Sequence, residues 1–389
     1  MTFSKSTVVT ICSDPGAARA VTPVIRLLLA EDAVEVVSYC YNQANEILRS
    51  ESIHSTELRY PITPGWVEER LRQDQASLVL TGTSHNALDW EKLFIATARA
   101  MAVPSIAVLD FWSNYVTRFS SADDRLDCLP DVVAVMDERA RGEMMAAGIP
   151  AERILVTGQP AFEDLAQRLS WFSPQERARI RESVGVEQSD VLVMFASQPI
   201  RQLYGGEESP DYLGYTEDSV LRHLIRSLEA VQHECPERIA LLIRPHPREE
   251  VQQYSSYASS MIKIVVSTAG DRSNCAMAAD LVTGMTSVLL VEACYLQRPV
   301  ISFQPGLRKA DTLPTNAWGL STLVVDYQSM TPTLKLFLLD RNPPGENSAR
   351  PTGLKVNLGS ARRIVNWIYQ HTVGARSSGT NLQKKISHA

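Results

Sequence analysis

The chain has 389 residues, of which 44% are hydrophobic and 21% are charged, and its formal net charge is −6. This composition excludes a disordered chain and disfavours a nucleic-acid binder that is basic throughout, while the length predicts two or three domains. Six cysteines occur without a C-x-x-C pair, which predicts reduced thiols and neither a disulfide framework nor a zinc site.

We expect a cytoplasmic protein, because neither a targeting signal nor a membrane span is recognisable in the sequence. The most apolar stretch, residues 281–303, is interrupted by Glu292, Gln297, Arg298 and Pro299. A membrane span needs about 20 largely uninterrupted apolar residues. Peripheral contact with a membrane remains an open alternative.

In the first part of the chain, short apolar runs alternate with amphipathic stretches. The predicted strands cover residues 7–12, 34–38, 78–81, 105–109, 132–136 and 154–157. The predicted helices cover residues 17–30, 91–102 and 138–147. Strands that alternate with helices indicate βαβ units and a parallel sheet.

A second α/β series follows a polar helical stretch over residues 174–184. Its predicted strands cover residues 191–196, 239–243, 262–266, 280–283 and 299–303. Its predicted helices cover residues 218–233 and 287–296. The chain near residues 165–185 therefore joins two sheets. Apolar residues at helical spacing predict a further helix over 358–371, and the polar tail after it is expected to be disordered.

Three polar loops follow strands of the first series. They contain Asp14 in S-D-P-G, His85 in T-G-T-S-H-N and Asp110 in L-D-F-W-S-N-Y. Ligands of open parallel sheets gather at the carboxyl ends of strands, where a histidine or a carboxylate can transfer protons. Each loop also has a structural interpretation: an ordinary turn, a histidine that bonds a loop carbonyl, and a packed interdomain loop. The first loop has a single glycine, so a dinucleotide site is only weakly indicated.

In the second series, the segment R-P-H-P-R contains Arg244 and His246 directly after a strand. Two prolines stiffen this turn, and an arginine fork suits phosphate oxygens. The alternative is a purely structural turn.

The segment T-G-M-T-S-V-L-L-V-E-A, residues 283–293, predicts a tight turn that opens an apolar helix. Gly284 allows the turn, and the amides and hydroxyls around Thr286 and Ser287 favour a diphosphate. Glu292, further along the same helix, could accept hydrogen bonds from a ribose diol. The alternative is a capped core helix in which Glu292 pairs with an arginine.

Together, R-P-H-P, the later G-x-T-S-x-x-x-E-A and the R-P-V-I-S-F that follows resemble the carboxy-terminal domain of the GT-B superfamily. I-L-V-T-G-Q-P, residues 154–160, is similar to a stretch near the interdomain region of its epimerase-like members. The superfamily includes nucleotide-sugar glycosyltransferases, UDP-N-acetylglucosamine 2-epimerases and CDP-glycerol glycerophosphotransferase-like enzymes.

The resemblance implies an α/β fold with two Rossmann-like domains that face a central cleft, and a C-terminal helix that crosses back to the first domain. It implies an acceptor-side domain over residues 1–168 and a nucleotide donor-side domain over residues 185–345. A crossover helix over 354–373 and a disordered tail over 374–389 follow.

The resemblance also implies roles for individual residues. Those that would bind the nucleotide donor are Ser197, Gln198, Arg244, His246, Gly284, Thr286, Ser287 and Glu292. Those that would meet the acceptor and supply a catalytic base are Asp14, His85 and Asp110.

Two segments depart from the pattern of the epimerases. Their G-H-P-R-E-N-type segment is only partly matched around Arg244, and T-G-T-S-H-N stands where a turn with G-D is expected. The sequence therefore favours a glycosyltransferase that moves a sugar from a nucleotide-activated donor to an acceptor hydroxyl, in surface polysaccharide or glycoconjugate biosynthesis. An NDP-sugar 2-epimerase and a non-catalytic nucleotide-sugar-binding protein are the alternatives.

No D-x-D triplet occurs in the chain, so we expect a metal-independent enzyme without a cofactor beyond the nucleotide sugar as co-substrate. The expected partners are a nucleoside diphosphate sugar and a glycan, lipid-linked or small-molecule acceptor, with no nucleic acid. A homodimer is left open.

Overall fold

In a computed structural model of the chain, the described residues are 5–58, 61–84, 88–121, 125–340 and 358–372. The chain divides into two compact units, which we call unit 1 (Met1–Glu163 with Val356–Ala389) and unit 2 (Asp164–Lys355). Each unit alternates strands and helices around a parallel sheet, which confirms the predicted α/β fold with two Rossmann-like units.

Unit 1 is built on seven parallel strands within the described residues. These strands are β1 (Ser6–Cys12), β2 (Val34–Cys40), β3 (Thr56–Glu57), β4 (Ala76–Thr81), β5 (Ser105–Val108), β6 (Val132–Val135) and β7 (Ile154–Val156). Its helices before residue 163 are α1 (Pro15–Glu31), α2 (Gln43–Ser50), α3 (Pro64–Gln73), α4 (Trp90–Ala100) and α5 (Glu138–Ala146). The strand order is β3-β2-β1-β4-β5-β6-β7.

Strand β1, in the interior of the sheet of unit 1, is buried along its whole length, as expected for a parallel sheet with helices on both faces. Helix α1 begins directly beyond it because Asp14 accepts a hydrogen bond from the Gly16 N–H, and Pro15 is preset for the first helical turn. The sequence therefore places a helix N-terminus at the carboxyl end of β1.

Unit 2 has six parallel strands among the described residues, in the order β10-β9-β8-β11-β12-β13. They are β8 (Val191–Ala196), β9 (Ile239–Arg244), β10 (Lys263–Val266), β11 (Leu281–Gly284), β12 (Val300–Phe303) and β13 (Thr322–Val324). The helices are α6 (Glu163–Trp171), α7 (Pro174–Ser183), α8 (Ile200–Tyr204), α9 (Glu217–Gln232), α10 (Arg272–Ala278), α11 (Val288–Tyr295), α12 (Pro314–Ala317) and α13 (Met330–Leu338). Helix α6 starts on the last residue of the first segment of unit 1.

Helix α7, which the predicted domain boundaries leave unassigned, lies in unit 2. It is held there by Arg181, whose fully buried guanidinium donates to the Ala278 carbonyl and, at 2.6 Å, to Asp280 Oδ2. Arg177 donates to the other oxygen of the same carboxylate. Because a buried cation must be paired, these contacts fix the start of unit 2.

The last helix, α14 (Ser360–Thr372), returns to unit 1. Ile364, Val365 and Ile368 are fully buried in one hydrophobic cluster with side chains of α1 and β1. This confirms the predicted crossover of the C-terminal helix. Leu358, expected on its apolar face, instead precedes the helix and is 63% exposed. The predicted tail, residues 374–389, lies outside the described residues.

Among the described helices, none is long and apolar enough to cross a membrane.

Candidate functional site

In each unit the strand order reverses beside the first strand, because β1 lies between β2 and β4, and β8 lies between β9 and β11. Ligands of open α/β sheets bind in the crevice beyond the carboxyl ends of the strands at such a switch point. Asp14, Ser197 and Gly284 lie at or just beyond these strand ends. Both switch points therefore contain residues that the sequence analysis singled out.

The switch point of unit 2 is spanned by an amide side chain. Gln198 Oε1 accepts hydrogen bonds from the Thr286 N–H at 2.8 Å and from the Thr286 hydroxyl at 3.4 Å. Ser287 caps α11 by accepting from the Leu289 N–H at 3.3 Å. A Cβ atom on Gly284 would lie 2.7 Å from the Ala196 carbonyl oxygen, so this close approach of β8 and β11 requires glycine. The turn before α11 is thus shaped to hold an oxygen acceptor.

Arg244 lies on the neighbouring strand, in register with Ala196. Its guanidinium donates to the carbonyl oxygens of Ser267 at 3.3 Å and of Ala269 and Gly270 at 2.5 Å each. Burial lowers the pKa of Arg244, although a guanidinium stays protonated at neutral pH. These carbonyl oxygens orient the group without cancelling its charge, so Arg244 can still attract an anion.

His246 belongs to a partly buried hydrogen-bond network that the sequence did not predict. Glu249 accepts from the His246 N–H at 2.7 Å and from the Ser197 hydroxyl at 3.2 Å, and Ser197 Oγ lies 2.6 Å from the Tyr254 hydroxyl. Nδ1 of His246 accepts from the Arg248 N–H at 3.1 Å, so a neutral imidazole carries its proton on Nε2. Burial raises the pKa of Glu249. This network fixes both the R-P-H-P turn and the residue before Gln198.

Glu292 is buried and already has partners. It forms an ion pair with Arg272 and accepts a hydrogen bond from the Ser273 hydroxyl at 2.9 Å. This is the arrangement of the structural alternative, and the role of Glu292 toward a ribose stays a prediction.

The switch point of unit 1 brings the Asp14 and Asp110 loops together. Asp110 Oδ1 accepts from Arg118 at 2.5 Å and from the Thr83 hydroxyl at 3.0 Å, and Arg118 is only 3% exposed. A Cβ atom on Gly16 would lie 2.3 Å from Asp110 Oδ2, so the carboxylate lies against the first turn of α1. In the part of the chain described by the structure, no hydrogen bond is made by Oδ2. One oxygen of Asp110 is fixed and the other remains able to accept a proton.

A third carboxylate at this switch point, Glu91, was not predicted. It accepts from the Ser13 N–H at 2.5 Å, from the Ser13 hydroxyl at 2.6 Å and from the Ser84 hydroxyl at 2.9 Å. The sequence gives no signal for it, because a glutamate in the first turn of a helix is ordinarily solvent-exposed. His85, predicted as a base, lies outside the described residues.

Across the described ranges, no group of three or more His, Cys, Asp or Glu side chains is arranged to hold a metal ion.

No protein-family model matches the chain, and no curated protein sequence matches it. Several solved structures match it along almost its whole length. MnaA from S. aureus, solved with UDP, is 14% identical, with a TM-score of 0.67 over 94% of this chain and 96% of MnaA. The UDP-GlcNAc 2-epimerase from Neisseria meningitidis, bound to UDP-GlcNAc, is 13% identical, with a TM-score of 0.65 over 94% and 100%. The enzyme from Methanocaldococcus jannaschii, with UDP-GlcNAc and UDP, is 16% identical, with a TM-score of 0.65 over 93% and 99%.

These matches correct the function predicted from the sequence. The prediction of a glycosyltransferase is wrong, because structures of UDP-GlcNAc 2-epimerases match almost the whole chain. The prediction gave most weight to local departures around Arg244 and in T-G-T-S-H-N, whereas the structural match extends along both units. The predicted fold is confirmed, because the chain shares the fold of these 2-epimerases along both units.

Proposed function

We propose that this protein is an NDP-sugar 2-epimerase that binds its nucleoside diphosphate at the switch point of unit 2. The observation that carries the proposal is the hydrogen bonding of Gln198 Oε1 by the Thr286 N–H and hydroxyl. A diphosphate oxygen is an anionic acceptor that would make stronger forms of the same bonds, at a helix N-terminus that favours negative charge. Gln198 thus occupies the position proposed for the phosphate.

Arg244 is the proposed stabiliser of the departing diphosphate. The C2 hydrogen of a nucleotide sugar is not acidic, so C2–H cleavage is easiest when the C1–O bond breaks in the same step. A C1=C2 double bond then forms, and the nucleoside diphosphate leaves with the electron pair of the C1–O bond. Its return to C1, with a proton from solvent delivered to the opposite face of C2, gives the epimer. A cation oriented by carbonyl oxygens stabilises the charge that grows on the diphosphate.

Asp110 is the described side chain of unit 1 best suited to take a proton. Its ion pair with Arg118 holds Oδ1 in place. Oδ2, beside Gly16, is then directed and able to accept the proton. Asp14, at the N-terminus of α1, is proposed to orient this loop through its bond to the Gly16 N–H.

The proposal is tested by incubating the protein with UDP-, GDP-, CDP- and TDP-sugars in D₂O and following C2 by proton NMR. Epimerisation through C2–H cleavage introduces solvent deuterium at C2 of the substrate or product. UDP-GlcNAc is the first probe, because it is the ligand of two structurally similar enzymes. Asp110→Asn should abolish the exchange, since the amide still accepts from Arg118 but cannot take a proton. Absence of both deuterium and epimer across the whole panel would contradict the proposal.

A nucleotide-sugar-binding protein without turnover is the second candidate. It is favoured by the internal pairing of Asp110 with Arg118 and of Glu292 with Arg272. Such a protein would show nucleotide-dependent thermal stabilisation, of about 2.7 kcal/mol at a ligand concentration 100 times Kd, without exchange at C2.

A further inference from the structure

Glu91 is a carboxylate in the interior of unit 1, and none of the residues that the structure describes donates to it from a cationic group. It lies in the first turn of α4, is 2% exposed, and is bonded by the backbone and hydroxyl of Ser13 and the hydroxyl of Ser84. The nearest lysine along the chain, Lys92, instead pairs with Asp89 and donates to the Ser120 carbonyl. A charge buried among neutral partners is costly, and an apolar side chain would fill the space more cheaply.

The two serines belong to different loops. Ser13 follows β1 and precedes Asp14, the N-cap of α1, whereas Ser84 follows β4 and lies beside Thr83, which donates to Asp110. One side chain therefore joins the two loops on either side of the switch point. Asp14, next to Ser13, accepts a hydrogen bond from the Gly16 N–H, and Thr83, next to Ser84, donates one to Asp110.

We propose that Glu91 is a positioning residue, which pins the β1–α1 loop to the β4–α4 loop and so fixes the geometry in which Asp110 works. The inference rests on the proposed function for its effect on turnover, but the pinning itself is independent of any substrate. Glu91 acts through Ser13 and Ser84 and does not itself meet the sugar.

If Glu91 is a positioning residue, its substitution should lower activity without lowering the stability of the fold. Burial, which outweighs the hydrogen bonds from Ser13, raises the pKa of Glu91, so the folded state favours its protonated form. Above the ordinary value of 4.5, Glu91 ionises in the unfolded state before it does so in the folded state. The native protein therefore loses stability as the pH rises from 4.5 toward the raised pKa. On β1, burial and then the nearby carboxylate of Glu91 raise the pKa of the Cys12 thiol.

The test variant is Glu91→Gln, which keeps the shape and still accepts from the Ser13 N–H. At about pH 8 its thermal midpoint should equal or exceed that of the native protein, and the difference should shrink toward about pH 5. Turnover should nevertheless fall by about tenfold to a hundredfold, with KM within about twofold, because a misplaced catalytic group lowers kcat. Ser84→Ala should lower kcat less, and the double variant should be no worse than Glu91→Gln.

Glu31→Gln is the matched control in the same unit. Glu31 lies at the far end of α1 and bonds Tyr369 and Arg362, and these bonds overcome the effect of burial and lower its pKa. Its ionised form therefore stabilises the native state at neutral pH. Glu31→Gln should lose some stability and keep kcat, the reverse of Glu91→Gln.

Hydrogen exchange of the full-length protein separates this inference from the proposed function. Glu91→Gln should speed amide exchange in the peptides that contain residues 13–16 and 82–84, and Glu31→Gln should not, whether or not any nucleotide sugar is turned over. Unchanged exchange in both loops would overturn the inference. In a wild type that turns over, an unchanged kcat, or a loss of stability at about pH 8 as large as the loss of activity, would overturn it too.

Discussion

The two switch points share a topology and differ in what spans them. In both units a glutamate with a raised pKa bonds the serine that follows the first strand: the buried Glu91 bonds Ser13, and the half-buried Glu249 bonds Ser197. Glu91 also reaches the loop after β4, across the switch point, whereas Glu249 reaches the turn after β9, away from it. Unit 1 is therefore spanned by a carboxylate, and unit 2 by the neutral amide of Gln198.

The arginines at the two switch points also differ in whether a carboxylate pairs with them. Arg118 in unit 1 is paired with Asp110, whereas Arg244 in unit 2 is held by carbonyl oxygens. An anion entering unit 1 would meet the carboxylates of Asp14 and Asp110, and one entering unit 2 would meet a cation and a displaceable amide. Topology thus locates both crevices, and the charge of a few side chains decides which one suits a diphosphate and which one suits proton transfer.

The largest expected effect concerns the dependence of unit 1 on the end of the chain. Truncation after Arg350 removes Ile364, Val365 and Ile368 from its core, and each such loss costs about 2–5 kcal/mol. Unit 1 should lose protection from hydrogen exchange throughout β1, while β8 keeps it. Deletion of residues 374–389 alone should be harmless. Native-like protection of β1 in the longer truncation would refute the assignment of α14 to the core of unit 1.

Arg244→Ala should lower kcat/KM by about 100-fold or more, in line with the loss of one oriented charge-stabilising contact. Arg244→Lys should recover only part of this, because an ammonium group cannot reproduce the three carbonyl contacts. Steady-state kinetics on the nucleotide sugar that is turned over gives both values. Near-normal turnover of both variants would indicate that Arg244 only shapes its turn and that, like Arg118 paired with Asp110, it does not stabilise a diphosphate.

Substitution of glycines compares the packing of the two crevices. Gly284→Ala should destabilise unit 2 by about 1–3 kcal/mol, because its Cβ would meet the Ala196 carbonyl. Gly16→Ala should mainly lower turnover, since its Cβ would displace the Asp110 carboxylate. Gly65→Ala, with nothing within 4 Å of the added carbon, is the control and should be neutral or slightly stabilising. Denaturant unfolding should rank Gly284→Ala as the least stable of the three.

The smallest effect sharpens the claim that Gln198 occupies a phosphate position. Gln198→Ala should raise the affinity for a nucleoside diphosphate by about fivefold, because the shorter of its two bonds from Thr286, worth about 1 kcal/mol, no longer has to be broken. Gln198→Glu should lower it by at least that factor, through charge repulsion. Calorimetric titration with UDP measures both, and shifts in the same direction would count against a competing role for Gln198.

Much of the fold could be predicted because buried parallel strands are continuous apolar runs. The strand over residues 191–196 has the predicted bounds, and the strand predicted over 78–81 is longer by only two residues. Short elements such as β13 were missed, since three residues with Leu323 exposed leave no pattern to recognise.

The candidate site was only partly predictable. Asp14 and Asp110 were expected near one sheet edge because parallel strands end there, and the structure brings both against Gly16. Glu91 could not be found, because its partner Ser13 lies 78 residues away and neither residue type signals the other. Hydrogen bonds that depend on side-chain packing across such separations are decided by the tertiary structure.

The most direct test of the central claim is calorimetric titration of UDP into two variants whose fold is verified by circular dichroism. Ser287→Glu places a carboxylate at the N-terminus of α11, and Asp110→Asn removes a carboxylate from unit 1. The account predicts that Ser287→Glu loses UDP binding, whereas Asp110→Asn binds UDP as the native protein does. Retained binding by Ser287→Glu together with lost binding by Asp110→Asn would contradict it.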